Sequence, residues 1–171
     1  MRVAATVRHA ALLLSLATAI ACDSDLRPLV PGTDACGYCR MTIDDVRFGA
    51  LVKTAKGRLE TFDSIECAAS YVATLAPALA PQGIWVADFD HPSHWLDARK
   101  ARFVQSSQLR SPMGRELAAF SADSTEASLA ARFGGRSVSW TDVLTQSRTK
   151  LGLAPRHGQI VRPVTWEPAG D

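Results

Sequence analysis

Residues 63–70 are DSIECAAS and residues 123–130 are DSTEASLA, and the similarity between these two stretches decides the predicted fold. Both begin with Asp-Ser-x-Glu. An aspartate at a helix N-cap, with a glutamate three residues later, can satisfy backbone N–H groups that have no partner inside the helix. Apolar residues at helical spacing follow each stretch and stop before a breaker, Pro77 in the first case and Gly134 in the second. The sequence therefore predicts two helices that begin in the same way.

Two segments with strand patterns precede each predicted helix, and one segment follows it. The first pair flanks a short turn and predicts a β-hairpin, whereas the second pair flanks a longer loop at residues 106–115. A short segment with a tryptophan follows each helix. The predicted strands are residues 47–53, 58–62 and 84–87 in the first half and residues 102–105, 116–120 and 138–140 in the second.

This order of elements predicts an α+β fold built from two homologous ββαβ modules. Module one is predicted at residues 36–92 and module two at residues 93–150, where a helix from Thr141 to about Lys150 closes the chain. Prolines and glycines mark residues 22–35 as a flexible tether and residues 151–171 as a weakly ordered tail.

The chain begins with a predicted signal peptide over residues 1–21. A basic start precedes an apolar run at residues 10–20, which is shorter than the roughly 20 apolar residues of a membrane span. The segment ends in AIAC, which resembles a bacterial lipobox, so Cys22 is predicted to carry lipid; plain secretion is the alternative. Asp23 follows the cysteine and favours the periplasmic face of the inner membrane.

Removal of the signal peptide leaves a neutral chain. The full sequence has 19 basic and 17 acidic residues, and the signal peptide carries Arg2 and Arg8 but no acid. The remaining 150 residues therefore have 17 of each sign. They are enough for one domain with a hydrophobic core. A net charge of zero argues against a nucleic-acid partner, which needs a basic surface, and against binding a membrane by charge.

Three cysteines remain once Cys22 carries lipid: Cys36, Cys39 and Cys67. Exported proteins normally pair their cysteines, and three cannot all pair within one chain. At least one is therefore left for a metal, a reaction or an intermolecular bond, and a Cys36–Cys39 disulfide stays open. Cys67 lies in the first turn of a predicted helix, where the helix dipole activates a thiol; a buried structural thiol is the alternative.

The stretch CGYCRM at residues 36–41 places a thiol and a thioether two residues apart, at Cys39 and Met41. In an extended segment these side chains would point to the same side, and both sulfurs could face one ion. Met113 lies between a proline and a glycine in the long loop, from which it could swing toward module one. Soft sulfur donors favour Cu(I). Core packing of Met41 and surface exposure of Met113 are the alternatives.

The CGYC pattern also allows a thiol oxidoreductase that uses Cys36 and Cys39. A thioredoxin-type motif opens a helix after a strand, whereas this one follows a segment rich in proline and is followed by RMTIDD, which is not helix-like. The pattern therefore favours metal binding. His91 and His94 are predicted to be solvated in a turn, and the nearby aspartates are predicted to form turns and caps; they are Asp88, Asp90 and Asp97.

Several stretches together resemble the NosL family of copper-chaperone lipoproteins, which are accessory to nitrous oxide reductase. The resemblance covers nearly the whole mature chain and includes its lipidated start. It is carried by CGYCRMTI at 36–43, FDSIECAASYV at 62–72, IWVADF at 84–89, WLDARKARFV at 95–104, PMG at 112–114 and AF at 119–120. It implies a periplasm-facing monomer whose two ββαβ modules share the fold of the organomercurial lyase.

The resemblance also implies a function. In the family, Cu(I) is held by a C-x-M motif and a distant methionine, which correspond here to Cys39, Met41 and Met113. The protein would be a carrier, not an enzyme, with an exported copper enzyme such as nitrous oxide reductase, or its ABC-type maturation complex, as partner. This sequence departs from the best-known family members in having Cys36 and Cys67. In this respect it is more similar to a broader CxxCRM branch of the family. The two cysteines leave open a second mode of metal binding or a redox role.

Overall fold

The computed structural model describes residues 26–153, which form two antiparallel sheets and three helices. The first sheet has the strand order β2-β1-β3-β4 and consists of β1 (Ala50–Lys53), β2 (Leu59–Phe62), β3 (Gly83–Ala87) and β4 (Trp95–Asp97). The second has the order β6-β5-β7 and consists of β5 (Arg102–Gln105), β6 (Leu117–Phe120) and β7 (Arg136–Val138). The helices are α1 (Ile65–Thr74), α2 (Glu126–Phe133) and α3 (Trp140–Lys150).

The two halves of the chain have the same topology. In each half the first strand is central, its hairpin partner lies on one side, and the strand that follows the helix lies on the other. The predicted α+β fold of two homologous ββαβ modules is therefore confirmed. The strand β4 is an addition at the edge of the first sheet, and the second sheet has no counterpart of it within the described residues.

Alternation along the strands separates a core shared by both modules from an outer layer. Ala50 and Val52 of β1 belong to one cluster of buried residues that also contains α1 side chains and Phe103 of β5. Leu51, between them, faces the other side of the sheet and packs with Leu29 and Ile43. The shared core thus lies between the two sheets, and α1 is at its centre.

The prediction that all of residues 22–35 form a tether is wrong for residues 26–35. Leu29 is buried against the outer face of the first sheet. The Arg27 guanidinium pairs with the Asp34 carboxylate at 2.7 Å, and the backbone turns back between Val30 and Asp34. The prolines and glycine that predict a tether shape a turn here, with Gly32 at φ 74°, and this turn accompanies the packing of Leu29 on the sheet. Residues 22–25 lie outside the described part.

Local differences from the predicted elements have simple causes. Residues Val46–Phe48 form a 3₁₀ turn instead of the start of β1. The Asp45 carboxylate caps this turn, because it accepts a hydrogen bond from the Arg47 N–H. The N-caps of α1 and α2 are Ser64 and Thr125, not Asp63 and Asp123, since these hydroxyls accept from the N–H three residues later. No helix within residues 26–153 has the length and apolar character of a membrane span.

Candidate metal centre

The stretch CGYCRM forms a tight loop that closes a short hairpin. Ala35 and Thr42 pair as an isolated antiparallel bridge. Inside it, the Cys36 N–H donates to the Met41 carbonyl at 2.8 Å, and the Arg40 N–H donates to the Cys36 carbonyl at 3.1 Å. Arg40 has φ 68°, in the left-handed region, which turns the chain back at this point. The loop therefore holds both of its cysteines on a fixed backbone.

Two hydrogen bonds attach this loop to strand β2. The Gly37 N–H donates to the Thr61 carbonyl at 2.7 Å, and the Thr61 hydroxyl donates to the Ala35 carbonyl at 2.9 Å. The chain then passes directly from β2 into α1, with Ser64 as N-cap, so that Asp63 and Cys67 lie at the helix start. Both residues are thus brought to the cysteine loop.

Four side chains that carry metal-binding atoms meet at this junction: Cys36, Cys39, Asp63 and Cys67. One ligand atom from each lies within 4.8 Å of all the others. Cys36 and Cys67 are 1% exposed and Asp63 is 2% exposed, whereas Cys39 is half-buried. All three cysteines are free thiols. This thiol cluster therefore opens to solvent on its Cys39 side.

The hydrogen bonds of the cluster distinguish its members. The Cys39 thiol donates to Oδ2 of Asp63 at 3.4 Å. The other carboxylate oxygen of Asp63 is buried and has no hydrogen-bond partner within residues 26–153. A buried carboxylate oxygen without a partner is costly, and a bound cation would remove that cost. The donor set thus fits a positive ion at the centre of the cluster.

The environment also separates the acidities of the three thiols. The pKa of Cys36 is lowered to about 6, first because the Cys67 thiol donates to its sulfur and then because the backbone N–H groups of Asp63, Cys39 and Tyr38 do the same. The pKa of Cys67 is raised because it donates to Cys36, and burial adds to this effect. Burial is the main cause of the raised pKa of Cys39. Cys36 is therefore the preformed thiolate of the cluster.

Three sulfurs and one carboxylate around a common point suit a soft or borderline metal ion. Thiolates favour Cu(I) over hard cations, and a single thiolate already present lowers the number of protons that must leave on binding. The arrangement can bind an ion with few ligands and leave the Cys39 side open to an incoming ligand.

The structure does not give the predicted ligands the arrangement that the sequence analysis assumes for them. These ligands are Cys39, Met41 and Met113. Met41 is 57% exposed. The extended geometry assumed for Cys39 and Met41 is wrong, because Arg40 between them is left-handed. Met113 packs partly buried against the shared core and borders a cavity of about 240 Å³. Tyr38, which lies between the two cysteines of the loop, borders the same cavity.

Sequence reasoning missed Asp63 as a member of the cluster. The sequence predicts Asp63 as a helix cap; the signal that points to the cluster is its position four residues before Cys67, at a strand–helix junction. The histidines lie elsewhere: His91 and His94 stack on each other with ring centroids 5.7 Å apart. Asp88 and Asp97 each accept a backbone N–H two residues later, as expected of turn formers.

Fold and cluster together define a small α+β domain with a thiol-rich centre suited to a soft metal ion. The family model for NosL matches residues 30–147, so the chain belongs to the NosL family. Among solved structures, it resembles the copper chaperone NosL from Shewanella denitrificans, with 22% sequence identity and a TM-score of 0.56. The match covers 68% of this chain and 93% of that chain. At 22% sequence identity, this similarity establishes a shared fold and no more. A search of curated proteins found no match.

Proposed function

We propose that this protein is a carrier of Cu(I) that delivers the ion to an exported copper enzyme or to its maturation machinery. The observation that carries the proposal is the cluster of three thiols and one carboxylate within 4.8 Å of one another, in a chain of the NosL family. Copper is cargo in this function, so the protein itself performs no catalysis.

Cys39 is the residue on which two ligand sets agree. The geometry groups it with Cys36 and Cys67, whereas the resemblance to known NosL sequences groups it with Met41 and Met113. Cys39 is also the most exposed thiol of the cluster. We therefore assign Cys39 as the ligand that stays with the ion while the others exchange.

Transfer would take place on the Cys39 side. Cys36 and Cys67 are closed off from solvent, while Met41 is the exposed soft donor of the same loop. An incoming ligand from a partner would attack the ion there and form a shared intermediate before the donor ligands leave. The partner is an exported copper enzyme such as nitrous oxide reductase, or the ABC-type complex that matures it.

The carrier would work at the periplasmic face of a membrane, held by lipid on Cys22. That cysteine and the signal peptide lie outside the described residues. The test is fractionation: wild-type protein should sediment with membranes, and the processed Cys22→Ser protein should not. Equal solubility of the two would refute the anchor without bearing on copper binding.

Copper binding is tested by competition for Cu(I) against a chromophoric chelator, with reduced full-length protein. One Cu(I) should bind per chain, and Cys39→Ser should abolish binding. Met41→Leu and Met113→Leu conserve volume and should cost under about 1.5 kcal/mol of stability while they lower copper affinity. Wild-type affinity in Cys39→Ser would overturn the proposal. Ser124→Ala, a half-buried control in module two, should change nothing.

A thiol oxidoreductase that uses Cys36 and Cys39 stays the second candidate, favoured by the lowered pKa of Cys36. Its weakness is access. A thiol that attacks a disulfide must be reachable, yet Cys36 is 1% exposed and the reachable thiol, Cys39, has a raised pKa. Reduction of a disulfide substrate that needs both cysteines and neither methionine would favour this candidate over the carrier.

A further inference from the structure

A buried hydrogen bond joins the helix of the thiol cluster to the loop of Met113. Glu66 precedes Cys67 in the first turn of α1 and is 2% exposed. The Ser111 hydroxyl donates to Oε1 of Glu66, and the Ser111 oxygen in turn accepts from the Glu116 N–H at 3.0 Å. Ser111 is two residues before Met113. The Ser111 side chain therefore attaches the middle of the Met113 loop to the helical turn that carries Cys67.

Stability alone is a poor reason for Glu66 at this position. Its second carboxylate oxygen is buried without a hydrogen-bond partner in the described part of the chain, and burial raises its pKa. An apolar residue of similar size would avoid the cost of burying that oxygen. An apolar residue cannot, however, accept the hydrogen bond that the Ser111 hydroxyl donates to Glu66.

The cavity beside Met113 shows where the loop is directed. Glu66, Met113 and Tyr38 all border this space of about 240 Å³. Tyr38 lies in the loop between the two cysteines, both of which belong to the thiol cluster. The loop held by Ser111 therefore presents its methionine to the same space as the cysteine loop.

We infer that the Ser111–Glu66 hydrogen bond positions Met113 to complete the copper site, which makes both residues positioning residues and not ligands. The inference rests on the proposed function, and it adds that the loop of module two is set by the metal-bearing helix of module one. Without the bond the loop would keep its fold but sample more positions, and the thioether would spend less time at the ion.

The decisive test is a double-mutant cycle on Cu(I) affinity with the full chain, purified and reduced. Ser111→Ala should lower the affinity about fivefold, the worth of one hydrogen bond. In the Met113→Leu background the same change should lower it less than about twofold, because the ligand that Ser111 positions is gone. Equal losses in both backgrounds would overturn the inference, since Ser111 would then act on the thiols or on the fold.

Ser106→Ala is the matched control. Ser106 begins the same loop, is as buried as Ser111 at 6% exposure, and donates to the Phe133 carbonyl on the side of α2. Ser106→Ala removes a comparable hydrogen bond away from Met113, so its copper affinity should stay within about twofold of wild type. A loss equal to that of Ser111→Ala would overturn the inference.

Two variants of Glu66 distinguish the effect of the Ser111 hydrogen bond from the effect of the carboxylate charge on copper affinity. They also test the inference if Ser111→Ala does not fold. Glu66→Gln retains an oxygen that accepts from Ser111, so affinity should be retained. Glu66→Leu removes the acceptor without leaving a buried charge, so it should fold and lose affinity as Ser111→Ala does. Loss in Glu66→Gln would overturn the inference in favour of a direct electrostatic effect on the ion.

The proposed function and this inference fail in different ways. If Met113→Leu binds copper like wild type while Cys39→Ser does not bind it, the carrier stands and the positioning role of Ser111 and Glu66 is wrong. If Cys39→Ser binds copper normally, the carrier itself is wrong.

Discussion

The two helices that begin with similar sequences begin in very different surroundings. Ser64 caps α1 by accepting from the Cys67 N–H at 3.1 Å, and Thr125 caps α2 by accepting from the Ser128 N–H at the same distance. Cys67 and Ser128 are therefore structural equivalents. Cys67 is 1% exposed and belongs to the thiol cluster, whereas Ser128 is exposed.

The connections before the helices produce this difference. Two residues separate β2 from α1, but five separate β6 from α2. Helix α1 packs against β1, β2, β6 and α3 and buries seven of its residues, whereas Leu129 is the buried residue of α2. The chain around a capped helix start thus decides whether that start is shielded from water and meets further side chains that could hold a metal ion.

The largest effect should come from the residues that start the two helices. Ile65 and Glu126 occupy the first position of α1 and α2, but Ile65 is fully buried and Glu126 is exposed. Ile65→Ala should lower the free energy of unfolding by about 2–5 kcal/mol, and Glu126→Ala by less than about 0.5 kcal/mol. Urea unfolding monitored by circular dichroism measures both. Similar losses would show that α2 is as central to the fold as α1.

Copper affinity should respond steeply to pH if the buried thiols bind the ion. Cys39 and Cys67 have raised pKa values and are protonated at pH 7, whereas Cys36, at about 6, is mostly ionised. Copper displaces the protons that remain, so affinity rises with pH. A three-thiolate site should gain about 100-fold from pH 7 to pH 8, since about two protons leave; Cys39 with two methionines should gain about tenfold.

That measurement separates the two ligand sets directly. It requires the chelator competition to be run at both pH values, with the chelator's own protonation taken into account. Cys67→Ser provides the control, because it should reduce the steeper slope toward the shallower one. A tenfold slope in the wild type would remove Cys36 and Cys67 from the copper site.

The fold could be predicted from sequence where the signals are local. The strand at Arg102–Gln105 and the helix at Trp140–Lys150 follow from alternation and helical spacing within each segment. The strand Trp95–Asp97 was missed because three residues carry no period, and it exists only through its pairing with β3. The packing of residues 26–35 was missed for a similar reason, since a single buried leucine, Leu29, decides it.

The site could be predicted only in part, because its members are distant in sequence. The sequence predicts Cys39 from its own motif, and the structure places it in the thiol cluster. The grouping of Cys36 with Cys67 depends on the two hydrogen bonds that attach the cysteine loop to β2, and these depend on the tertiary fold. Asp63 was mistaken for a cap because Asp and Ser are both good N-caps, and the next residue took that role.

The two capping hydroxyls offer a smaller contrast. Ser64 is fully buried and Thr125 is exposed, although each accepts one backbone N–H. Ser64→Ala should cost about 2 kcal/mol, at the upper end for a cap, and Thr125→Ala about 0.5–1 kcal/mol, because water can replace the exposed cap. Thermal melting of the metal-free protein compares them. A larger loss in Thr125→Ala would contradict the burial argument.

The smallest effect should come from the ion pair that links the exposed helix to module one. Arg132 of α2 forms two hydrogen bonds to the Asp90 carboxylate, at 2.6 and 2.7 Å, and also stacks on Phe133 with its guanidinium carbon 4.7 Å from the ring centre. Asp90→Asn removes the charge and leaves the stacking, so the loss at pH 7 should be at most about 1 kcal/mol.

The pH dependence of that loss identifies its origin. The Arg132 hydrogen bonds lower the pKa of Asp90, so the folded protein holds the ionised form more strongly than the unfolded chain does. The stabilisation is therefore present above the ordinary aspartate pKa of about 3.9 and disappears as pH falls through the lower value in the folded state. Melting of wild type and Asp90→Asn should differ at pH 7, converge in acid and converge in about 1 M salt, where charges are screened beyond about 3 Å. A difference that persists in both conditions would mean that Asp90 stabilises the contact by packing, and α2 would then be attached to module one more firmly than its exposed surface indicates.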